Sequence, residues 1–336
     1  MTLSLATKYL GLSLKNPLVA SASPLNREIG NLRRLEDAGT GAVVLPSLFE
    51  EQIEAEAELH GALMGAYANS SPEAQCYFPQ TISGPYGLGP ERYLELVHRA
   101  RAAVDIPVIA SLNGSSVAGW VEYASLIEQA GAAALELNMY HVPTDLAESG
   151  RDIEARYTEI VGAICGSVSL PVSIKLTPFL SSIGHFANTL VGFGAGGLVL
   201  FNRLLQPDID LVRLRLADAL ELSTPAELRL PLLWTAILAG RTNRACLATS
   251  TGVATPADVV KCILAGADVV MTTSAILHGG IGEMRNLVNG LQRWMEEREF
   301  DALVEMRGML SWQRSKDRGI YDRASYLRIL ERYVAP

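Results

Sequence analysis

One lysine interrupts a run of residues that otherwise has the pattern of a buried strand. Lys175 lies near the carboxyl end of the apolar run Pro171–Pro178, whereas the other four lysines lie where a solvated charge is expected. A buried charge is costly unless it is paired, and the carboxyl ends of strands carry the chemistry of parallel α/β barrels. We therefore predict a catalytic role for Lys175, with an ion pair at the barrel rim as the structural alternative.

Amide side chains end three of the apolar runs, and Lys175 ends the run that lies between two of them. Asn113, Asn138 and Asn202 close the third, fourth and sixth runs, and Lys175 closes the fifth. A buried amide needs hydrogen-bond partners, and one such residue alone is more often structural than ligand-binding. Four successive runs that end in amide, amide, ammonium and amide could hold the polar edge of a flat heterocycle, with the ammonium near negative charge on the ring.

Small hydroxyl residues and a glycine follow the last two runs. Ala248–Gly252 ends the seventh run, Met271–Ala275 ends the eighth, and a helix is predicted to begin at Thr255. Backbone N–H groups and a helix amino terminus favour an anion, and these loops are the usual phosphate site of α/β barrels. Helix capping by Thr255 and ordinary strand-end hydroxyls are the alternative. A phosphate site at this position and a ring site across strands three to six together indicate flavin mononucleotide (FMN) as the ligand.

Eight apolar runs alternate with helical patterns along the chain. They are apolar nearly throughout, as strands buried on both faces are. Alternating βα units favour a parallel sheet with right-handed crossovers, and eight units predict an α/β fold of the closed (β/α)8 TIM-barrel type. A doubly wound open sheet is the alternative, but no GxGxxG turn follows the first run. The predicted strands are Pro17–Ser23, Ala42–Ser47, Pro107–Asn113, Ala134–Met139, Pro171–Pro178, Gly197–Arg203, Ala245–Gly252 and Ala267–Ser274, with helices that include Glu91–Ala103, Trp120–Ala130, Ile153–Cys165 and Pro256–Ala265.

Composition excludes several classes of protein. The chain has 336 residues, 49% of them hydrophobic and 19% charged, which is typical of a well-packed enzyme. A net charge of -8 argues against a nucleic-acid surface. The four cysteines have no metal-type CxxC spacing, so we expect a reduced, cytoplasmic protein without a metal site. We see no signal peptide and no membrane span, and expect no membrane partner.

Two insertions and a tail depart from the plain repeat. Residues 48–90, after the second strand, begin with the acidic pattern Glu50–Glu56, and residues 204–230 follow the sixth strand. Both follow strand carboxyl ends, so we expect lids or substrate walls over the barrel mouth, with subunit contact as the alternative. A barrel domain is predicted over 1–310. A C-terminal extension over 311–336, mixed basic and aromatic, is predicted to dock onto the barrel.

Several motifs in order resemble the dihydroorotate dehydrogenase family. The resemblance covers roughly residues 3–310 and implies an FMN-binding (β/α)8 barrel that oxidises dihydroorotate to orotate. It is closest to the soluble class, so we expect a homodimer and a small-molecule substrate. No iron–sulfur cysteine cluster is present, so any such carrier is expected on a separate electron-transfer subunit. The motifs are Asn16–Ser23, Glu136–Asn138, Ile174–Pro178, Asn202 and Thr251–Asp258.

The resemblance extends the predicted cofactor site beyond the residues named so far. It implies that residues at the end of the first strand contact the flavin, and that residues at the ends of the last two strands also contact the cofactor. The predicted cofactor contacts are Ala20, Ser21, Ser47, Asn113, Asn138, Lys175, Asn202, Thr249, Thr251, Gly252, Thr272, Thr273 and Ser274.

The chain departs from the family pattern in its substrate half. The family base lies within Asn-x-Ser-Cys-Pro-Asn or Asn-x-Ser-Ser-Pro-Asn, whereas Asn138–Thr144 has the sequence N-M-Y-H-V-P-T, so that His141 takes the place of the base. The family's lysine at the end of the second strand is Pro46, its substrate segment is replaced by Ser83–Gly89, and its double glycine is Thr251–Gly252.

Histidine titrates near neutral pH, which suits proton transfer. We predict that His141 or the competing donor Tyr140 handles a proton; the alternatives are a loop histidine bonded to a carbonyl and a tyrosine packed against the ring. The predicted function is hydride exchange between flavin N5 and a C–C bond next to a carbonyl, with Lys175 stabilising reduced flavin. Dihydroorotate is the nominal substrate.

Three other functions stay open at this point. A different small molecule could be the substrate, because the family's substrate residues are lost. A flavin-binding partner subunit without turnover would also explain the lost base and lysine. A dihydrouridine synthase-like RNA enzyme is disfavoured by the acidic charge balance.

Overall fold

Eight parallel strands close into a barrel in the computed structural model of the protein. The structure describes residues 3–53, 89–114, 118–217, 220–243, 245–316, 318–321 and 323–332. The strands are β1 (Leu18–Ala20), β2 (Ala42–Phe49), β3 (Val108–Asn113), β4 (Ala134–Asn138), β5 (Val172–Leu176), β6 (Gly197–Leu200), β7 (Cys246–Thr249) and β8 (Val269–Thr272). The order around the barrel is β7-β8-β1-β2-β3-β4-β5-β6, with every neighbouring pair parallel. The predicted (β/α)8 fold is therefore confirmed.

Helices follow the strands and cover the barrel. The chain marks their ends with ordinary capping chemistry: the Ser149 hydroxyl accepts from the Asp152 N–H, and Thr255 and Asp258 cap each other's backbone. Gly266 follows the helix Pro256–Ala265 and has a φ of 124°, a conformation that glycine adopts without strain. The helices are α1 (Ile29–Asp37), α2 (Pro90–Ala103), α3 (Ala118–Gln129), α4 (Gly150–Ser167), α5 (Ile183–Gly192), α6 (Arg229–Leu238), α7 (Pro256–Ala265), α8 (Ser274–Gly279), α9 (Glu283–Glu297), α10 (Leu303–Met306) and α11 (Arg323–Glu331).

A short hairpin that the sequence analysis did not predict closes the floor of the barrel. Its strands, Thr7–Tyr9 and Leu12–Leu14, pair antiparallel. Tyr9, Leu10 and Leu14 are buried with the inward-facing side chains of the barrel strands. The Leu10 N–H lies 3.3 Å from Cys246 Sγ, at the start of β7. This apolar floor leaves the carboxyl ends of the strands as the open end.

The barrel interior changes from apolar to polar towards the mouth. The lower layer contains Val19, Val44 and Val199. Higher up, Glu136 and Lys175 occupy the buried interior face of β4 and β5. Strand side chains alternate between faces, so the apolar residues between these positions pack against the helices instead. The polar layer supports the mouth from below.

The insertion after β6 and the C-terminal extension both have ordered structure. The insertion contains the antiparallel pair Ile209–Asp210 and Arg215–Leu216 and the 3-10 turn Pro225–Leu228. In the extension, the Trp312 N–H donates to the Ala236 carbonyl at 2.9 Å. Of the first predicted insertion, residues 54–88 lie outside the described residues.

The ring of Trp312 also receives two guanidinium groups. Arg241 lies 4.3 Å and Arg318 lies 4.9 Å from its centroid, which are cation–π distances. These contacts hold the start of the extension on α6. Within the described part of the chain, no helix has the length and apolar character needed to cross a membrane.

Gly290 tests the packing of α9 on α7. A Cβ at Gly290 would lie 2.3 Å from Pro256 Cγ. We expect Gly290→Ala to lower the unfolding free energy by about 1–3 kcal/mol through overpacking, measured by urea unfolding. Gly166→Ala is the control, because nothing lies within 4 Å of its Cβ position; alanine there should stabilise by ~0.5 kcal/mol. Equal stability of the two variants would contradict this account of the packing.

Candidate active site

Parallel pairing brings the predicted amides and lysine to one edge of the barrel. Asn113 is in register with Asn138, and Asn138 is in register with Lys175. The Asn202 N–H donates to the Leu176 carbonyl at 2.7 Å, which continues the row past the end of β6. The four side chains predicted from strands three to six therefore stand side by side at the mouth.

A chain of hydrogen bonds links two of these side chains, Asn138 and Asn202, to the serines of β2 and β3. Asn202 Nδ2 donates to Asn138 Oδ1, and Asn138 Nδ2 lies 3.4 Å from Ser47 Oγ. Ser47 Oγ lies 2.8 Å from Ser111 Oγ. Asn113 Nδ2 is buried and has no hydrogen-bond partner among the residues that the structure describes. A buried donor of this kind is a group that a bound ligand can satisfy.

Lys175 is buried at the centre of this mouth, with 8% of its surface exposed. Its Nζ lies 3.3 Å from Ser21 Oγ and 3.8 Å from Glu136 Oε1. The ion pair that was the structural alternative for Lys175 is therefore present. Its partner comes from inside the barrel, so the ammonium is held from below and stays next to the mouth.

Glu136 is a site residue to which the sequence analysis gave no role of its own. Its side chain is fully buried, and neither carboxylate oxygen has a hydrogen-bond partner in the described part of the chain. Burial raises the pKa of Glu136, and the neighbouring Lys175 ammonium lowers it, leaving the pKa above its usual range. The sequence contained the signal for Glu136. Side chains two residues apart on a strand point to the same face, so Glu136 was expected on the same face as Asn138.

Asn26 fixes the loop that carries Ser21, and the sequence analysis also missed it. Its side chain is buried, and its amide nitrogen donates to the carbonyls of Ser21 at 2.9 Å and Val44 at 2.7 Å. The Ser21 N–H donates to the Thr272 carbonyl at 3.0 Å. Ser21 is thus tied to β2 and β8 while its hydroxyl points to Lys175.

The loops after β7 and β8 meet through a residue of the insertion, Ser223. The Gly252 N–H donates to Ser223 Oγ at 3.2 Å, and Ser223 Oγ lies 2.8 Å from Ser274 Oγ. Thr251 and Gly252 have φ values of 76° and 79°, which turn the backbone into this position. Ser223, Gly252 and Ser274 form a polar cluster that we name the serine cluster. Sequence reasoning missed Ser223 because no local pattern marks it.

Helix α7 does not present a free amino terminus to an anion. Asp258 Oδ2 accepts from the N–H groups of Ala254 at 3.4 Å and Thr255 at 3.0 Å. The capping that was the alternative reading of Thr255 is thus present. The short helix α8 begins at Ser274, and the side chain of the preceding Thr273 makes no capping bond to it; its hydroxyl lies 3.4 Å from the Ala22 carbonyl.

Several predicted cofactor contacts have side chains engaged elsewhere. Thr249 Oγ1 lies 2.8 Å from Thr235 Oγ1 on α6, and Thr272 Oγ1 donates to the Val253 carbonyl at 2.9 Å. Ala20 is buried in the cluster between strands and helices. Thr251 Oγ1 donates to the Phe201 carbonyl at 2.9 Å. At these positions, backbone groups are the atoms left for a ligand.

Tyr140 and His141 lie on the loop after β4. The Tyr140 hydroxyl accepts from the Leu205 N–H at 2.7 Å, which ties this loop to the insertion. His141 Nε2 lies 3.8 Å from Glu148 Oε2, and Glu148 also binds Arg156 at 2.6 Å. The structure therefore gives Tyr140 a bond to the insertion and leaves His141 Nε2 buried without a hydrogen bond to any described residue.

His141 lines a cavity of about 300 Å³ beside the mouth. The cavity is bounded by the loops after β4 and β5, by α4 and by the start of the insertion. Apolar side chains, such as Leu180 and Leu204, contribute most of its walls, and Thr177 and Gln206 add neutral polar groups. The loop composition therefore builds a mostly apolar pocket next to the strand ends.

Comparison with known proteins identifies the family. The family model for dihydroorotate dehydrogenase matches residues 86–295, more than half of the chain. The chain belongs to the dihydroorotate dehydrogenase family. Members of this family are flavin-dependent oxidoreductases that act on CH–CH groups, and this family member is such an oxidoreductase.

Curated relatives span nearly the whole chain. The putative dihydroorotate dehydrogenase A (fumarate) of Aeropyrum pernix is 27% identical over 318 residues, covering 90% of this chain and 96% of the relative. The catalytic subunit of dihydroorotate dehydrogenase B (NAD(+)) of Methanothermobacter thermautotrophicus is 25% identical, covering 92% and 99%. A chloroplastic dihydropyrimidine dehydrogenase (NADP(+)) of Arabidopsis thaliana is 25% identical, covering 89% and 75%.

The buried pair can be tested by a double-mutant cycle of Glu136→Gln and Lys175→Met. Each single variant leaves one group of the pair without its partner, so we expect each to lower the unfolding free energy by about 3 kcal/mol. The double variant should lose less than the sum, with a coupling of about 1–3 kcal/mol. Glu95 and Arg99, an exposed pair 3.6 Å apart, serve as the control cycle. Additive effects at Glu136 and Lys175 would contradict the pairing.

The same variants predict a pH dependence. Lys175→Met removes the group that lowers the pKa of Glu136, so that pKa rises further above the unfolded value. A carboxyl with a raised folded pKa stabilises the fold when it is protonated, and this stability is lost as pH rises from the unfolded value of ~4.3 towards the folded pKa. The unfolding free energy of Lys175→Met should therefore fall more steeply over this range than that of the wild type. A parallel pH profile would contradict the assignment.

Proposed function

We propose that the protein binds FMN across the carboxyl ends of β3–β6 and catalyses oxidation or reduction of a C–C bond next to a carbonyl in a small cyclic molecule. When bound, the flavin supplies the hydride acceptor or donor at N5. The observation that carries the proposal is the buried Lys175 ammonium, which stands in a row of amides at the mouth of a dihydroorotate dehydrogenase-type barrel. Dihydroorotate, the substrate named in the family description, is the first compound to test.

The donor set of the mouth fits a flavin ring. Asn113 offers a buried amide N–H without a partner among the described residues, and Lys175 offers an ammonium two strands along the row, beyond Asn138. Ring nitrogens and oxygens of a flavin accept such bonds, and a cation near them favours the reduced, more negative ring. The side chains of Asn138 and Asn202 are already linked, which fixes their orientation before a ligand arrives.

The serine cluster supports the site of the FMN phosphate. Gly252 brings its N–H group to the cluster, and Ser274 contributes a hydroxyl at the start of α8. The loops after strands seven and eight, with a short extra helix, are the usual phosphate position of this barrel type. We assign the cluster as the phosphate end and Lys175 as the ring end of the cofactor site.

Lys175 and His141 have separate tasks in this proposal. Lys175 holds positive charge next to the ring, and Ser21 and Glu136 fix the position of its ammonium. His141 accepts or donates the proton at the substrate, and Glu148 Oε2 lies 3.8 Å from its Nε2. Tyr140 positions the loop through its bond to Leu205 rather than transferring the proton.

Assembly also belongs to the proposal. The insertion after β6 exposes apolar side chains, including Val212 at 94% and Leu214 at 84%, which supports an interface with a second copy or with a separate electron-transfer subunit. One curated relative is the catalytic subunit of dihydroorotate dehydrogenase B (NAD(+)). We propose a cytoplasmic homodimer in which this surface is covered, with a role in pyrimidine metabolism.

Lys175→Met tests the role of the ammonium. We expect the purified wild type to be yellow, with FMN released on denaturation, and to be bleached anaerobically by at least one 5,6-dihydropyrimidine from a panel that includes dihydroorotate. Loss of one charged group that stabilises developing charge should slow this bleaching by about 10²–10³-fold in stopped-flow traces.

Lys261→Met is the matched control, because Lys261 is 55% exposed and pairs with Asp258 on α7. It should bleach at the wild-type rate. A colourless wild type, or a yellow protein that no dihydropyrimidine bleaches, contradicts the proposed function. The second result would favour a flavin-binding partner subunit.

Comparison of His141→Gln with Tyr140→Phe separates the two proton-transfer candidates. Loss of a general acid or base costs about 10²–10⁴-fold in rate, so we expect His141→Gln to slow flavin bleaching by ~100-fold at saturating substrate. Tyr140→Phe loses only the hydroxyl that accepts from Leu205, and we expect a loss below about tenfold. The reverse order of the two effects would transfer the proton role to Tyr140.

A further inference from the structure

The cations nearest the strand ends already have acidic partners. Lys175 is paired with Glu136, and Arg203, which follows Asn202, lies 2.7 Å from Glu227. Arg203 also donates to the Glu221 carbonyl. In the proposed function Lys175 serves the flavin ring, and Arg203 is bonded within the insertion, so neither of these two cations is left for a carboxylate on the substrate.

The remaining arginines of the strand-end loops do not change this balance. Arg213 pairs with Asp210 at 3.1 Å, and Arg215 also has a partner. Arg27 is exposed on the turn after β1. In the described parts of the other strand-end loops, residues 50–53, 139–149 and 177–182 contain no lysine or arginine. The charged side chains of these described residues are acidic: Glu50, Glu51, Asp145 and Glu148.

The cavity beside the mouth has the same character. Its charged lining residue is Glu154, and Glu148 lies next to His141 on the same loop. Arg156, the nearby cation, is bound to Glu148 at 2.6 Å. The walls are otherwise apolar or neutral, with Leu180, Leu204 and Gln206 among them. A carboxylate placed here would lose its hydration without gaining a cation, which is costly.

We infer that the substrate is an uncharged carbonyl compound, with an apolar substituent in this cavity, and not a ring that carries a carboxylate. The inference rests on the proposed function and specifies the substrate class of the same site. Dihydroorotate and orotate carry a carboxylate on C6, one of the two carbons of the reacting bond. An uncharged 6-substituted pyrimidine ring presents the same amide edge without that charge.

Three ligands with one ring separate charge from shape. Orotate, orotate methyl ester and 6-methyluracil share the pyrimidine ring. The ester removes the charge of the carboxylate and adds one methyl group, and 6-methyluracil replaces the carboxylate with a smaller uncharged group. We expect isothermal titration of the yellow holoprotein at low salt to give at least about tenfold tighter binding of the ester and of 6-methyluracil than of orotate. This ratio reflects the cost of desolvating an unpaired carboxylate.

A charge variant gives a second, independent readout. Gln206 is exposed and lines the cavity, so Gln206→Lys adds a cation at the rim without disturbing the core. It should tighten orotate binding relative to 6-methyluracil binding by about fivefold, as an exposed ion pair can; the readout is the ratio of the two affinities. Gln206→Met is the matched control and should leave the ratio of the two affinities at the wild-type value.

The outcomes are distinguishable from failure of the proposed function. A colourless protein would end the flavin proposal itself, and the visible spectrum reports this before any titration. If the protein is yellow and orotate binds as tightly as its methyl ester, or tighter, the inference of an uncharged substrate is wrong. If none of the three ligands binds the yellow protein, the pyrimidine-like class is wrong and the inference falls with it.

Discussion

The site depends on one buried ion pair inside the barrel. Glu136 and Lys175 bring opposite charges 3.8 Å apart in a layer that has almost no access to water. Taking both charges out of water costs several kcal/mol, and such a pair is rarely a net source of stability. Its effect is positional: Glu136 approaches from below, so the ammonium is fixed at the mouth, while Ser21 limits its direction from the side. The apolar floor made by Tyr9, Leu10 and Leu14 keeps this layer dry.

Much of the fold followed from the sequence because strands that are buried on both faces leave an unmistakable apolar pattern. The eight predicted strands are all present, and the predicted helix Pro256–Ala265 has the same bounds in the structure. Parallel pairing then brings residues at strand ends together, so the row that contains Asn138 and Lys175 was predictable without a structure. The hairpin at the floor was not, because strands of three residues leave too short a pattern.

The remaining site residues depend on contacts between distant parts of the chain. Ser223 reaches the serine cluster from an insertion of irregular structure, and no spacing rule connects it with Gly252. The outward direction of Thr249 could have been deduced, because Ala248 faces the interior and side chains alternate along a strand. Glu136 was visible in the sequence too, but its role appears only when β5 is placed beside β4. The structure brings the residues predicted from strands three to six together at one edge of the barrel, and the predicted set did not include Asn26 and Ser223.

The insertion after β6 contacts the candidate site at both of its ends. At one end of the insertion, Leu205 holds the tyrosine of the loop that carries His141; at the other, Ser223 touches the backbone after β7 and the hydroxyl after β8. In the proposed function, one stretch of chain thus contacts both the loop that carries His141 and the phosphate end of the cofactor site. Substitutions in this stretch are then expected to alter substrate preference and cofactor retention together, and relatives that differ here should differ in both properties.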